Sequence, residues 1–197
     1  VAIGANFETP NATCSFAEVL IMPHSRIDPH TATSSSQPAK TTSTFSPDAA
    51  ALNAFVGEWR AEGEQIEGPV GPAAAITATQ RYEWLQGKRF LIHRFDGQVG
   101  TAPASCVEVI GCDRDSGLCR AHTFYNNGLT NVWDVELHGG RWRLFGDWNM
   151  AGRSMKVRCA ITFHDGGRGM RSHWEYSSDG IRWHTFWDLK AKKAIPH

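Results

Sequence analysis

The chain has 197 residues, with 20 lysines and arginines against 20 aspartates and glutamates. That balance leaves no electrostatic footprint for nucleic acid or an anionic membrane surface, and the length suits one ordinary domain plus a tail. No apolar run approaches the length of a membrane-crossing helix.

The longest apolar run near the start, residues 16–22, has no basic flank before it and ends at Pro23. It makes a poor secretory signal, so the cytoplasm is the expected compartment. The sequence opens on Val1, and Met22 is an alternative start. Residues 31–46 are rich in Ser, Thr, Pro and Ala, with too little apolar surface to offset the entropy of ordering. Residues 1–46 are therefore expected to be a flexible leader, and residues 47–197 one folded domain. Asn11-Ala12-Thr13 matches a glycosylation sequon, which without a secretory signal is read as chance. Residues 48–54 suit one or two helical turns that would close the end of the domain.

From Phe55 onward, turn residues recur at the spacing of strands joined by tight links. Breaks fall at residues 68–72, 86–87, 97–103, 113–117, 127–128, 139–140, 151–152, 166–167 and 179–180. The runs between them are rich in Val, Ile, Thr, Phe, Tyr and Trp, which suit a pleated surface. Nine breaks imply about ten strands: an all-β, single antiparallel up-and-down β-barrel, since closure removes the exposed edges of a long meander.

A two-residue hairpin loop fixes register, and register fixes which residues share a face. With Gln86-Gly87 in the loop, Tyr82 faces Leu91, Gln80 faces His93 and Ala78 faces Phe95, with Trp84 on the same face. Glu83, Arg81, Thr79 and Arg94 then point to solvent. With Asn127-Gly128 in the loop, Phe124 faces Asn131 and His122 faces Trp133; Gly139-Gly140 extends that face to Leu144 and Trp148. Around Gly166-Gly167, Phe163, Ile161, Cys159 and Val157 oppose Met170, Ser172, Trp174 and Tyr176. Around Asp179-Gly180 that face continues onto Trp183, Thr185, Trp187 and Leu189, and the outer face pairs Glu175 with His184 and Arg171 with Asp188. The run Gly166-Gly167-Arg168-Gly169 reads as a turn, and His164, His173, His184 and His197 as surface residues.

Five cysteines, an odd number, fit neither a disulfide framework nor a zinc spacing. Cys112 and Cys119 bracket the turn at residues 113–118 and are placed to pair across it, although half-buried free thiols are the simpler expectation.

The run Val56-Gly57-Glu58-Trp59-Arg60-Ala61-Glu62-Gly63 resembles the opening strand of calycin-like barrels, in which the tryptophan of a Gly-x-Trp closes one end. With Tyr82-Glu83-Trp84-Leu85-Gln86-Gly87-Lys88-Arg89-Phe90-Leu91, Val109-Ile110-Gly111-Cys112-Asp113, Trp174-Glu175-Tyr176-Ser177-Ser178-Asp179-Gly180 and Trp183, it resembles a bacterial family of calycin-like barrels labelled a domain of unknown function. The resemblance spans residues 52–193 and implies a lipocalin- or fatty-acid-binding-like barrel, without an activity. A more distant resemblance, to the nitrobindins, implies haem held by a histidine on the final strand. Here the inward positions expected on that strand are Trp183, Thr185, Trp187 and Leu189, with His184 outward, so the haem alternative lacks its ligand.

A barrel of this size leaves a cavity unless large side chains fill it. The expected inner face carries Tyr82, Trp84, Phe95, Phe124, Trp133, Trp148, Trp174, Tyr176 and Trp187. These rings either fill the barrel as core or wall a pocket for an aromatic or polycyclic ligand. Gln80, His93, His122, Asn131, Ser172 and Thr185 are the inward polar groups, needing partners among themselves, in water or on a ligand. The leading expectation is a protein that binds a small hydrophobic molecule, with no nucleic-acid or membrane partner, no metal and no cofactor. The alternative is a cofactor-independent isomerase, cyclase or dehydratase in which His93 or His122 moves a proton while Gln80, Asn131 or Tyr82 holds a carbonyl. A purely structural domain would need a solidly packed barrel. No nucleophile elbow, phosphate-cradling loop or His-x-His pair is present.

Overall fold

The structure is a computed structural model, and it describes residues 49–150 and 153–194. The expected leader therefore lies outside the described residues. Ten antiparallel strands run in sequence: β1 (Gly57–Gln65), β2 (Ala74–Trp84), β3 (Phe90–Val99), β4 (Ala102–Cys112), β5 (Cys119–Tyr125), β6 (Thr130–His138), β7 (Arg141–Met150), β8 (Arg153–His164), β9 (Gly169–Ser177) and β10 (His184–Lys193). Each pairs with the next, and β10 returns to β1, so the sheet closes as a barrel with no free edge. Among the described residues no helix is long and apolar enough to cross a membrane.

Alternation drives each strand. In β1, Trp59, Ala61 and Gln65 are buried while Glu58, Arg60, Glu62 and Glu64 face solvent. Where strands crowd at the inner surface, glycine is required: a Cβ on Gly97 would collide with the Thr77 carbonyl oxygen.

One end of the barrel is plugged. A 3-10 helix (Ala49–Ala54) delivers the fully buried Leu52 and leads into Phe55, whose ring lies 5.0 Å from both Trp142 and Phe163 and 5.3 Å from Tyr82. Trp59, also fully buried, donates its indole N–H to the Phe55 carbonyl at 2.7 Å. Trp84 belongs to this plug: its indole N–H donates to Asn53 Oδ1 at 2.7 Å.

Cys112 and Cys119 are direct cross-strand partners and form a disulfide at this same end, which corrects the expectation of free thiols. The six-residue link between them is organised by Asp113, whose Oδ1 accepts from the Ser116 backbone N–H (2.7 Å), the Ser116 hydroxyl (2.7 Å) and the Asp115 N–H (3.1 Å). That turn lets the strands leave it already aligned, so the two thiols meet.

Four hairpin registers bear directly on the cavity. At β2–β3 the link holds four residues rather than two, with the Leu85 N–H on the Phe90 carbonyl, so Gln80 pairs with Phe95 and Tyr82 with His93. The register slips by two positions, and an even slip leaves every side chain on its expected face. At β5–β6 the link holds three residues instead of two. Tyr125 N–H bonds the Leu129 carbonyl, and Gly128 takes φ 83°, a conformation open to glycine. This odd change pairs Ala121 with Trp133 and Thr123 with Asn131, and it turns His122 and Phe124 to the exterior. Both were expected inside; Phe124 is 52% exposed. At β8–β9 the four expected pairs are all observed. At β9–β10 a bulge between Thr185 and Trp187 inserts Phe186 into the interior, leaving Trp187 opposite Trp174 and Leu189 opposite Ser172. Above the bulge, Thr185 pairs with Glu175 on the outer face, its hydroxyl 3.3 Å from His173 Nε2, so its expected inward position is also corrected. Trp183 lies against the Arg158 guanidinium, 4.0 Å from its ring centre. Outside, Arg171 and Asp188 pair as expected (2.6 and 3.0 Å), whereas Glu175 takes Arg158 (2.7 Å) rather than His184.

Candidate functional site

The interior is hollow at the end opposite the plug. A cavity of about 910 Å³ runs from beneath the links β1–β2, β3–β4 and β5–β6 down to Tyr82 and Leu144. Its wall divides by chemistry. Strands β7 to β10 supply Trp148, Leu144, Ile161, Met170, Trp174, Phe186, Trp187 and Leu189, with Ser172 the polar exception. Strands β2 to β6 supply Gln80, Tyr82, His93, Phe95, Cys106, Glu108, Thr123, Tyr125 and Trp133. No lysine or arginine is among the described residues of the wall.

The polar half is a connected network. Glu108 is 7% exposed and stands directly across from His93 on one side and Thr123 on the other. The Thr123 hydroxyl donates to Glu108 Oε2 at 2.6 Å and accepts from the Trp133 indole N–H at 3.0 Å. Glu108 Oε1 lies 3.4 Å from His93 Nδ1, long for a charge-assisted bond. His93 stacks face to face on Tyr82 with ring centres 4.0 Å apart, and the Tyr82 hydroxyl donates to Gln80 Oε1 at 3.1 Å. One atom of the network is left over: His93 Nε2 is buried and has no hydrogen-bond partner among the described residues. Placing the ring proton on Nδ1, toward Glu108, leaves the fewest groups unpaired, since a buried Nε2–H with no acceptor would cost a lost hydrogen bond.

The buried carboxylate sets the field in the cavity. Burial first, and Glu108 second, push the Cys106 thiol up to about 12 and hold the Tyr82 and Tyr125 phenols well above their ordinary range. These groups stay neutral, and Glu108 is the acidic side chain of the wall.

At the mouth, Gln65 ties two elements together: its Nε2 donates to the Pro72 carbonyl (2.7 Å), and its Oε1 accepts from the Trp187 indole N–H (2.9 Å). Asn131 is buried and does not line the cavity; with its amide turned so that both atoms are satisfied, its oxygen accepts from the Trp148 indole N–H at 3.2 Å and its nitrogen donates to the Thr130 carbonyl.

Of the residues expected at the site, Gln80, Tyr82, His93, Phe95, Trp133, Trp148, Ser172, Trp174 and Trp187 reach the cavity. Trp84 does not, being held in the plug, and Tyr176 packs behind Phe186 with ring centres 6.1 Å apart. His122, Phe124 and Thr185 are outside. Sequence reasoning missed Glu108, Thr123, Cys106, Tyr125 and Phe186. Counting back from the paired Cys112 and Cys119 gives Glu108 opposite Thr123. Hydropathy hides it, because the outward neighbours of Glu108 are Val107 and Val109.

The fold is shared with the crystal structure of Rv2717c from M. tuberculosis, at a TM-score of 0.55 and 13% identity, over 77% of this chain and 99% of that one. At this identity the likeness is one of fold alone. No curated protein sequence matches the chain. Residues 46–186, most of the barrel, match the family described as "Protein of unknown function (DUF1579)", and the chain belongs to that family.

Proposed function

We propose that this barrel, calycin-like in architecture, holds a small, largely apolar molecule, aromatic or polycyclic, in its interior. One observation carries the reading: a cavity of about 910 Å³, open at one end, walled by indole and phenyl rings with a few polar groups on one side. That volume falls in the upper part of the roughly 300–1,000 Å³ range of small-molecule sites, and the mix of many apolar and few polar groups is theirs too. A purely structural barrel has no need of such a void. The final strand lends the haem alternative no support, since it turns Phe186, Trp187 and Leu189 inward and leaves His184 exposed.

The neutral dye Nile red reports on this directly. Saturable binding with a blue-shifted emission, lost when Ser172→Trp narrows the cavity, is the expected result. Native mass spectrometry of protein from its own host then shows a retained small molecule. A chain that binds no neutral apolar dye overturns the reading.

A second reading rests on the contact between His93 and Glu108. A buried carboxylate facing Nδ1 orients an imidazole for proton transfer, which suits a cofactor-independent isomerase, cyclase or dehydratase. Of the two histidines expected as alternatives, His93 lines the cavity and His122 lies outside, and Glu108 is the orienting partner of His93. Full turnover of a candidate substrate by His93→Gln overturns it.

A further inference from the structure

The wall of the cavity is electrically one-sided. Among the described residues of the wall Glu108 is the one carboxylate; it is buried, and no lysine or arginine there balances it. Its partners do not neutralise it tightly. Thr123 brings a neutral hydroxyl, and His93 Nδ1 stays at 3.4 Å. An acid entering this space would place a second negative charge near Glu108 in a low-dielectric interior, where like charges repel far more strongly than in water. The same wall carries the rings of Trp148, Trp174 and Phe186, and Trp133, which bonds the Thr123 hydroxyl that Glu108 also holds, packs at 5.6 Å from Trp174. Aromatic faces attract cations and do nothing for anions.

We infer that the ligand is an apolar skeleton bearing a basic nitrogen, with the protonated amine near Glu108 and the skeleton among the tryptophans. Acidic amphiphiles such as fatty acids are disfavoured, because the described wall offers a carboxylate no lysine or arginine and sets it beside Glu108. The inference rests on the ligand-binding reading and adds the charge of the ligand to it.

Three probes of one shape test it: 1-pyrenemethylamine, 1-pyrenemethanol and 1-pyrenecarboxylate, titrated into the full chain at neutral pH and followed by tryptophan-to-pyrene energy transfer. The amine is expected to bind at least about tenfold more tightly than the carboxylate, a single favourable interaction's worth, with the alcohol between them. Glu108→Gln is expected to bring amine and carboxylate to within about threefold of each other, its fold checked by circular dichroism. A carboxylate that binds as well as the amine in the unmodified chain overturns the inference, and so does a gap that survives Glu108→Gln in the folded variant. Should that variant not fold, the wild-type ranking decides alone. Binding of the alcohol without preference for the amine sinks the charge inference and leaves the ligand reading standing; no binding by any of the three sinks both.

Discussion

The two ends of this barrel draw on the same residue types and do opposite things with them. At the plugged end Phe55, Trp59, Trp142 and Phe163 meet ring to ring at 5.0 to 5.9 Å, and nothing separates them. At the open end Trp133, Trp148, Trp174 and Phe186 touch one another at 5.6 to 6.4 Å, yet they surround a void. Aromatic content does not distinguish the two. What differs is a short piece of chain: the 3-10 helix and the residue after it drop Leu52 and Phe55 into one end, whereas the β1–β2 link at the other sets the half-buried Val70 on the rim of the void. Packing is therefore concentrated at the plug, and the void at the mouth.

The largest expected effect breaks or upholds that division. Phe55→Ala should lower unfolding free energy by about 3–5 kcal/mol, since a ring is removed from a filled site that cannot collapse. Trp174→Ala should cost less than half as much in the same denaturation experiment, because one side of that indole already faces empty space, and Nile red affinity should fall instead. Equal losses would erase the difference between the ends.

An intermediate effect comes from the Cys112–Cys119 bond. It closes a short loop, with a sequence separation of 7, and Cys112→Ala/Cys119→Ala should cost about 2 kcal/mol through the entropy of the unfolded chain. The melting temperature should drop in the variant, and in the wild type on reduction, while dye affinity at the far end is unchanged. A dye affinity that falls with the bond would show the two ends to be coupled.

The smallest is electrostatic and lies on the outer wall. The Arg171 guanidinium holds the Asp188 carboxyl below its usual range. A carboxylate with a depressed value contributes fully above the ordinary carboxylate range and loses that contribution as pH falls through the depressed value. Asp188→Asn should thus lower stability by under about 1 kcal/mol at neutral pH, Arg171 being half exposed, and should flatten the acid limb of the melting curve. An acid limb identical to the wild type's would show the pair to be inert.

Much of this arrangement was legible in the chain. Turn residues marked all ten strands, and wherever a link kept its expected parity, the interior followed: His93, Trp148 and Trp174 are where alternation put them. The residues placed on the wrong face share one physical origin. Side chains on a strand alternate with period two, so a link or bulge that adds a single residue reverses everything beyond it. Asn127-Gly128 reads as the turn of a two-residue loop, but glycine at the third position of a three-residue loop looks the same in one dimension, and His122 and Phe124 were carried to the wrong face. The Phe186 bulge left no local mark, since Thr185, Phe186 and Trp187 all suit a strand. Glu108 was lost for a different reason. Between Val107 and Val109 the polar residue reads as the solvent side, and only the pairing of β4 with β5 through the Asp113 turn inverts that. The chemistry most worth finding ran against hydropathy.

The bulge in β10 carries one more implication. Because Phe186 and Trp187 both reach the chamber from consecutive positions, removing one residue there would restore even spacing and expel a ring without any change of side-chain type. The width of this chamber is thus governed at one spot by chain length. Related barrels that differ by a single-residue gap at this point should enclose chambers of different girth even where every aligned residue is the same.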